Sequence, residues 1–574
     1  MMSLDQTPIN QLITDNIDTW TSTVKTKATT GRGSSKKLEL YGVKKLRELI
    51  LELAVRGKLV PQDPNDEPAS ELLLQSLEEK DVLLKQGMIK KSRSKKTIKE
   101  EHFYEYPASW AVSRLEDLIH VINGRAYKKA EMLSEGTPIL RVGNLFTSND
   151  WYYSDLELES DKYIDNGDLI YAWSASFGPF IWDGGKVIYH YHIWKMDIFR
   201  EASLDKEFSK LFLQAISERI KASGNGIAMI HMTKERMEKV MHPLPPINEQ
   251  KRIVHRVNEL MTLCDQLEQQ TEASIAAHQV LVTTLLDTLT NSANAEELMQ
   301  NWQLVAEHFD TLFTTEESID QLKQTILQLA VMGKLVPQDP NDEPAAKLLE
   351  RIAEEKAQLV REKKIKKHPN VEPIGNVGII PKTWKAIVVQ DFADIRLGST
   401  PSRHESSYWN GNIPWVSSGE VANGVIVDTA EKITQSGFDN SSTSIIPKGS
   451  LLMAIIGQGK TRGQTALLDI DACTNQNVAA FVFNGQFIIP EYVWLWAQSK
   501  YESHRQGGHG GAQPALNGKK VRSFAFPLPP TEEQKRIVEK VKKLNSLCEQ
   551  LKTRLKGSQV TQLHLTDAIV EQAV

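Results

Sequence analysis

LELAVRGKLVPQDPNDEPAS (51–70) and LQLAVMGKLVPQDPNDEPAA (327–346) agree at seventeen of twenty positions, at an offset of 276 residues. A second pair, PLPPINEQKRIVHRVNELMTLCDQLE (243–268) and PLPPTEEQKRIVEKVKKLNSLCEQLK (527–552), agrees at sixteen of twenty-six, at an offset of 284. The chain is therefore a tandem duplication of a unit of about 280 residues.

Outward from the first stretch, Leu46, Leu49, Ile50 and Leu53 recur at the spacing of an amphipathic helix, which predicts one over 39–56. Gly57 suits the left-handed residue that ends it, and Pro61 and Pro64 forbid continuation. A second helix is expected from near Pro68, burying Leu72, Leu73, Leu77 and Leu84. Residues 322–360 repeat the pattern, with Gly333 in place of Gly57. Such a hairpin carries more apolar stripe than its two helices can cover, so it must dock on another surface.

Between the paired stretches, the segments 104–246 and 376–530 alternate β-branched and aromatic residues with Gly-containing turns, which predicts short strands. Examples are PILRVGNLF, DLIYAWSA and GKVIYHYHIWKMDIF in the first segment, and IPWVSSGEV, GSLLMAIIG and NVAAFVF in the second. The two share Pro107/Pro381, Trp110/Trp384 and Gly124/Gly398, all at offset 274, and little else. A held frame with changed side chains is what two recognition modules for two targets require.

After each module comes PLPP and a helix. Ile253, Val257, Leu260, Cys264 and Leu267 step by 4, 3, 4, 3, as do Ile537, Val541, Leu544, Cys548 and Leu551. These are heptad seams, and two equivalent seams predict an antiparallel coiled coil. The first helix is expected to continue to about 290 through Leu281, Leu285 and Leu289. The fold expected is α+β: two mostly β modules with helices, plus long helices, arranged with pseudo-twofold symmetry. The domains expected are a polar, poorly ordered tail (1–38), a helical region with a basic linker (39–103), a first module (104–246), a central helical region with a basic linker (247–375), a second module (376–530) and a final helix (531–574).

Composition sets the class. The chain has 574 residues, 40% hydrophobic and 25% charged, enough for several domains of an ordinary globular protein. No window approaches a membrane span, and the first residues read as no secretory signal, so no membrane partner and a reducing cytoplasm are expected. The three cysteines, Cys264, Cys473 and Cys548, form no disulfide framework or zinc motif. Net charge is −5, yet the basic runs KQGMIKKSRSKKTIK (85–99) and REKKIKK (361–367) fall at matching places in the repeats, as flanks of a phosphate-binding surface would.

A β-rich module, PLPP-x-x-EQKRIV and a heptad helix, all occurring twice, resemble the specificity subunit of type I restriction–modification enzymes. GGAQPALNGKKVRSFAFPLPP (510–530) and TNQNVAAFVF (474–483) strengthen the resemblance; HYHIWKMDIF (190–199) lies where the first module's counterpart of the latter belongs. The resemblance implies that each module is a target-recognition domain for one half of a bipartite site in double-stranded DNA. It implies that the helices set the spacer and dock two methyltransferase subunits, and that two restriction–translocase subunits complete the complex. The chain itself would hold no cofactor and do no chemistry; S-adenosylmethionine, ATP and Mg²⁺ would sit on the partners.

The motifs agree. The only Pro-Pro pairs lie in the boundary motif, so the Asp/Asn-Pro-Pro-aromatic loop of an adenine methyltransferase is missing, and no G-x-G-x-x-G opens a helix. Residues 454–461, AIIGQGKT, mimic a P-loop, but a strand-like stretch follows where a helix should begin. His190 and His192 share a strand face without a third ligand, so no metal site is expected. A fused methyltransferase and a coiled-coil scaffold without DNA affinity are the rival readings; the first lacks its motifs and the second leaves the divergence of the modules unexplained.

Base reading calls for Arg or Lys against guanine and Asn or Gln against adenine. The candidates in the first module are Arg125, Tyr127, Lys128, Arg141, Asn144, Trp173, Ser174, Ser176, His231 and Lys234. Those in the second are Arg396, Ser399, Arg403, Ser417, Gln458, Lys460, Arg462, Gln464, Asn475, Gln476, His504, Arg505, His509 and Gln513, with 504–511 expected as a mobile loop. Trp110 and Trp384 belong to the module cores, and Cys264 and Cys548 to the seam.

Overall fold

The computed structural model describes residues 8–27, 37–90, 105–174, 176–223, 233–457, 460–506 and 516–574. They form two compact units, Met1–Ser274 with Ser558–Val574, and Ile275–Gly557.

In each unit the repeated stretch is a clamp. Helices Tyr41–Val55 and Glu316–Val331 end at Gly57 and Gly333, whose φ angles of 71° and 70° are the left-handed turn expected. A Cβ on Gly57 would stand 2.5 Å from Pro107 Cγ, and one on Gly333 would strike Pro381 in the same way. Glycine is thus required twice over, for the turn and for the approach of the module. Beyond the turn, Lys58 donates to the carbonyl of Val574 (2.6 Å), at the end of the second long helix. Lys334 donates to the carbonyls of Thr290 (2.7 Å) and Ser292 (2.9 Å), at the end of the first. Lys334 thus caps orphan carbonyls of a helix C-terminus, where a cation is favoured.

The second helices of the hairpins, Ala69–Lys85 and Ala345–Arg361, follow their prolines. Of the leucines expected inside the first, Leu72 is buried, whereas Leu73, Leu77 and Leu84 are only half-buried. The small Ala69 and Ser76 take the remaining contact face.

The boundary motif ties module to clamp. Glu249 accepts from Trp110 Nε1 (3.0 Å) and Gln62 Nε2 (2.6 Å); Glu533 accepts from Trp384 Nε1 (2.9 Å) and Gln338. Burial raises both carboxyls above their ordinary range, and the donors only partly offset it. Gln250 spans Ser203 O, Pro245 O and Asp205 N, and Gln534 does the same for Pro529 O and Ile489 N. Arg252 and Arg536 form two-pronged pairs with Asp66 and Asp342. Trp110 and Trp384 are buried, as expected of module cores, and also serve as the link to the helices.

The long helices run over Ile247–Asn291 and Thr531–Ala573, 45 and 43 residues. The seam positions Ile253, Val257, Leu260, Cys264, Leu267, Ile537, Val541 and Cys548 are buried; Leu544 and Leu551 pack half-buried on the same core as the last three. In the second unit that core joins Ile319, Leu322 and Ile326 of the clamp helix to Val282, Leu286 and Leu289 of the first long helix. Leu281, expected inside, is 51% exposed. The buried and half-buried positions include 267, 271, 275, 278, 282, 286 and 289, which step by 4, 4, 3, 4, 4, 3, so two additional steps of four carry the stripe past Leu281, as stutters do.

The expectation of a disordered N-terminal tail is corrected over residues 8–27. Helices Pro8–Asp15 and Ile17–Ser22 precede a strand, Lys25–Lys27, paired antiparallel with Lys37–Glu39. Ile9 and Ile13 are buried and Trp20 is inaccessible, with its carbonyl against Gly42. The reason is a third, fainter repeat. QLITDNIDTW (11–20) matches QLVAEHFDTL (303–312) at offset 292, and the latter also forms a helix pair, Ala295–Glu307 and Phe309–Leu312. Ile13 and Val305 are buried alike, as are Trp20 and Leu312.

Both modules are built on one topology. In the first, strands Ile119–Asn123, Ile193–Ile198, Leu169–Ser174 and Ser176–Ile181 lie side by side in that order. In the second, Asp394–Leu397, Val478–Val482, Leu451–Ala454 and Thr465–Leu468 do the same, with Val425–Ile426 added at the edge. A smaller sheet in each centres on a parallel pair, Thr137–Leu140 with Val187–Tyr189 and Trp409–Val416 with Cys473–Thr474. VGNLF (142–146), expected to continue a strand, is a short helix because Asn144 accepts from the Arg141 N–H and turns the chain.

Candidate nucleic-acid interface

Backbone hydrogen bonds place the two modules in register. Arg125 N donates to Tyr189 O as Ser399 N donates to Thr474 O; His190 N to Leu140 O as Asn475 N to Val416 O; Trp173 N to His192 O as Ile455 N to Asn477 O. Gly124 and Gly398 lie so close to the 189–190 and 474 backbone that a Cβ would collide with it in either module. The counterpart of Thr474-Asn475-Gln476-Asn477-Val478 is therefore Tyr189-His190-Tyr191-His192-Ile193. Arg141 corresponds to Ser417, each N–H being capped by the side chain three residues on, Asn144 or Glu420.

Several candidates turn out to hold the frame. Tyr127 is 9% exposed, packed with Ile139 and Ile188, and burial pushes its phenol up to about 12. Arg125 pairs with Glu131 (2.7 Å) and covers the Tyr127 ring. Asn144 donates to the Asp150 carbonyl (2.9 Å) besides capping. Asn475 is buried and accepts from Asn477 N (3.0 Å); Ser417 is tied to Glu420, and the Ser399 carbonyl accepts from Trp415 Nε1. Arg396 is held by Asp394 (2.8 Å), and Lys234 lies 3.4 Å from Glu238.

His504 is corrected outright. It sits on the helix Tyr501–Gln506, is 6% exposed and stacks on Phe524 with ring centroids 4.1 Å apart. Burial holds its imidazole down to about 3, so it is a neutral core residue and not a groove contact on a loop. His231, Gln458, His509 and Gln513 lie outside the described residues, as do the side chains of Ser176 and Arg505.

The rest reach solvent. Lys128 and Lys460 are exposed, and Ser174, Arg462 and Gln464 half-buried. Arg141 covers the Tyr152 ring at 4.3 Å and donates to Asp150 O. Gln476 is exposed, its Oε1 accepting from Thr400 Oγ1 (2.6 Å). Arg403 lies over the Trp409 ring at 3.7 Å and forms a two-pronged pair with Glu431. The P-loop-like stretch is a hairpin: strand Leu451–Ala454 returns as Thr465–Leu468, and Gly463 N donates to Ala454 O. Among the described residues, no helix opens there to receive a phosphate.

The sequence reading reaches one exposed cluster only through Trp173 and misses Tyr191. Trp173, half-buried, donates through Nε1 to Tyr191 O (2.9 Å) and stacks on the buried Trp194 at 5.7 Å. Tyr191, 40% exposed, and His192 complete the cluster. An aromatic in a run such as YHYHIW reads as core, and only the pairing registers reveal that residue 191 faces outward at the place of Gln476.

Comparison with known proteins accords with this arrangement. Residues 107–277 and 381–558 each match the type I restriction modification DNA specificity domain. The specificity subunit of the type I restriction enzyme EcoAI from Escherichia coli is 38% identical, over 99% of this chain and all of that one. The EcoEI subunit, from the same organism, is 36% identical over the same shares. Among solved structures, the HsdS subunit from Thermoanaerobacter tengcongensis is 16% identical and covers 82% of this chain and 98% of its own, with a TM-score of 0.37. With two matched domains and relatives similar from end to end, the chain belongs to the specificity subunits of type I restriction–modification systems.

Proposed function

We propose that each module reads one half of a bipartite site in double-stranded DNA, and that the long helices fix the distance between the halves. One observation carries this reading. The modules keep one hydrogen-bonded frame, while Arg141 and the outward Tyr191 stand where Ser417 and the exposed Gln476 do, and the half-buried Trp173 stands where Ile455 is buried. Frame residues conserve the fold, and exchanged outward residues change the bases addressed.

Phosphate contacts from the basic stretches 85–99 and 361–367, with Lys128 and Lys460, supply affinity; groove contacts supply sequence. Two methyltransferase subunits dock on the helical parts and bring S-adenosylmethionine, and two restriction–translocase subunits bring ATP and Mg²⁺. The assembly works in the cytoplasm, where the DNA is. The test is the methylation pattern of DNA from cells expressing this chain with its cognate methyltransferase subunit. A split adenine-methylated motif supports the proposal; no methylation from a complex that co-purifies refutes it.

A further inference from the structure

We infer that Tyr191, on the shelf it forms with Trp173 and His192, reads thymine methyl groups in the half-site of the first module. The inference rests on the proposed function and adds the chemistry by which one module reads.

Three observations carry it. The register puts Tyr191 at the position of Gln476, so the same outward place holds an aromatic ring in one module and an amide in the other. The shelf is preorganised: Trp173 is fixed by its bond to the Tyr191 carbonyl and by stacking on Trp194, and Tyr191 contacts His192 and His190 at ring distances of 4.0 and 4.3 Å. A rigid surface loses little entropy on binding.

The chemistry of the patch then selects its ligand. Burial, the neighbouring His192 and Arg141 hold the His190 imidazole down to about 4, so the ring is neutral near pH 7. Trp173 and Tyr191 carry no charge to answer a phosphate, while Arg141 lies close enough to act on His190. An aromatic surface beside a cation suits the edge of a base pair next to the backbone. Among major-groove edges, only thymine offers an apolar group, its C5 methyl.

The test uses the purified complex of this chain with its methyltransferase subunit, and duplexes carrying the motif found by methylation mapping. Each thymine of the first-module half-site is replaced in turn by deoxyuridine, which removes only the methyl. At least one replacement is expected to weaken binding roughly fivefold, the scale of a lost apolar base contact. Tyr191→Ala should reduce that ratio to about one, and Tyr191→Phe should keep it, because the ring and not the hydroxyl makes the contact. Replacements that are all neutral, in a complex that still binds the motif specifically, overturn the inference and leave the proposed function standing. So does a Tyr191→Ala chain that loses its methyltransferase subunit with the thymine ratio unchanged, since the shelf would then be a protein interface. Failure to bind any motif duplex overturns both.

Discussion

The indole N–H of Trp110 donates to Glu249 at 3.0 Å, joining the first residues of a module to the helix that leaves it 139 residues later. Glu249 is 1% exposed, and its other oxygen has no hydrogen-bond partner among the described residues. Glu249→Ala strands both Trp110 and Gln62 and should cost about 2–3 kcal/mol. Glu249→Gln keeps an acceptor for both donors and removes the buried charge. Because burial raises the carboxyl, the folded state keeps a proton that the unfolded chain has already released at the ordinary glutamate value. Stability is therefore highest below that value and falls as pH rises through the folded one. Denaturant titrations of the first unit at several pH values should show the Gln variant losing less between acid and neutral pH.

A second pH effect has the opposite sign. His242 is fully buried between Ser209 Oγ (3.1 Å) and Phe212, and burial lowers its imidazole to about 4. The unfolded chain takes up this proton below about 6.5, the folded unit only near 4, so stability is complete above that window and lost as pH falls through it. The second module holds Val493 and Phe526 at the corresponding places. The double substitution S209V/H242F should abolish up to about 3 kcal/mol of acid destabilisation in the first unit. An unchanged pH profile would show that this histidine is not its source.

Lys334→Met should uncap the first long helix while leaving the clamp helix intact. Amide exchange over residues 286–292 is expected to quicken roughly fivefold, for a loss of about 1 kcal/mol.

Helix length offers a geometric test of the spacer. Seven residues added to both long helices extend them by about 10 Å, the length of about three base pairs. The methylated motif should gain a spacer longer by that amount. An unchanged spacer would show that the helices are no ruler.

The elements legible in the sequence are those fixed by local pattern. Gly57, the heptad steps from Ile253 and the EQKRIV motif report their roles because turn geometry, periodicity and repetition act over a few residues. The N-terminal helix pair was missed because only Gln11, Leu12, Asp18 and Thr19 match Gln303, Leu304, Asp310 and Thr311. Its order comes from Trp20 packing beside Gly42, a contact no periodicity announces. Site residues were the least legible, since residue type does not say which way a side chain faces. His504 reads as part of a glycine-rich loop and is stacked on Phe524; Tyr191, not among the candidates, faces solvent.

The most direct test of the account is an exchange of residues 104–246 for the corresponding module of another specificity subunit, followed by long-read sequencing of methylated DNA. The account predicts that one half of the split motif changes while the other half and the spacer stay. A motif that changes in both halves, or in neither, would contradict it.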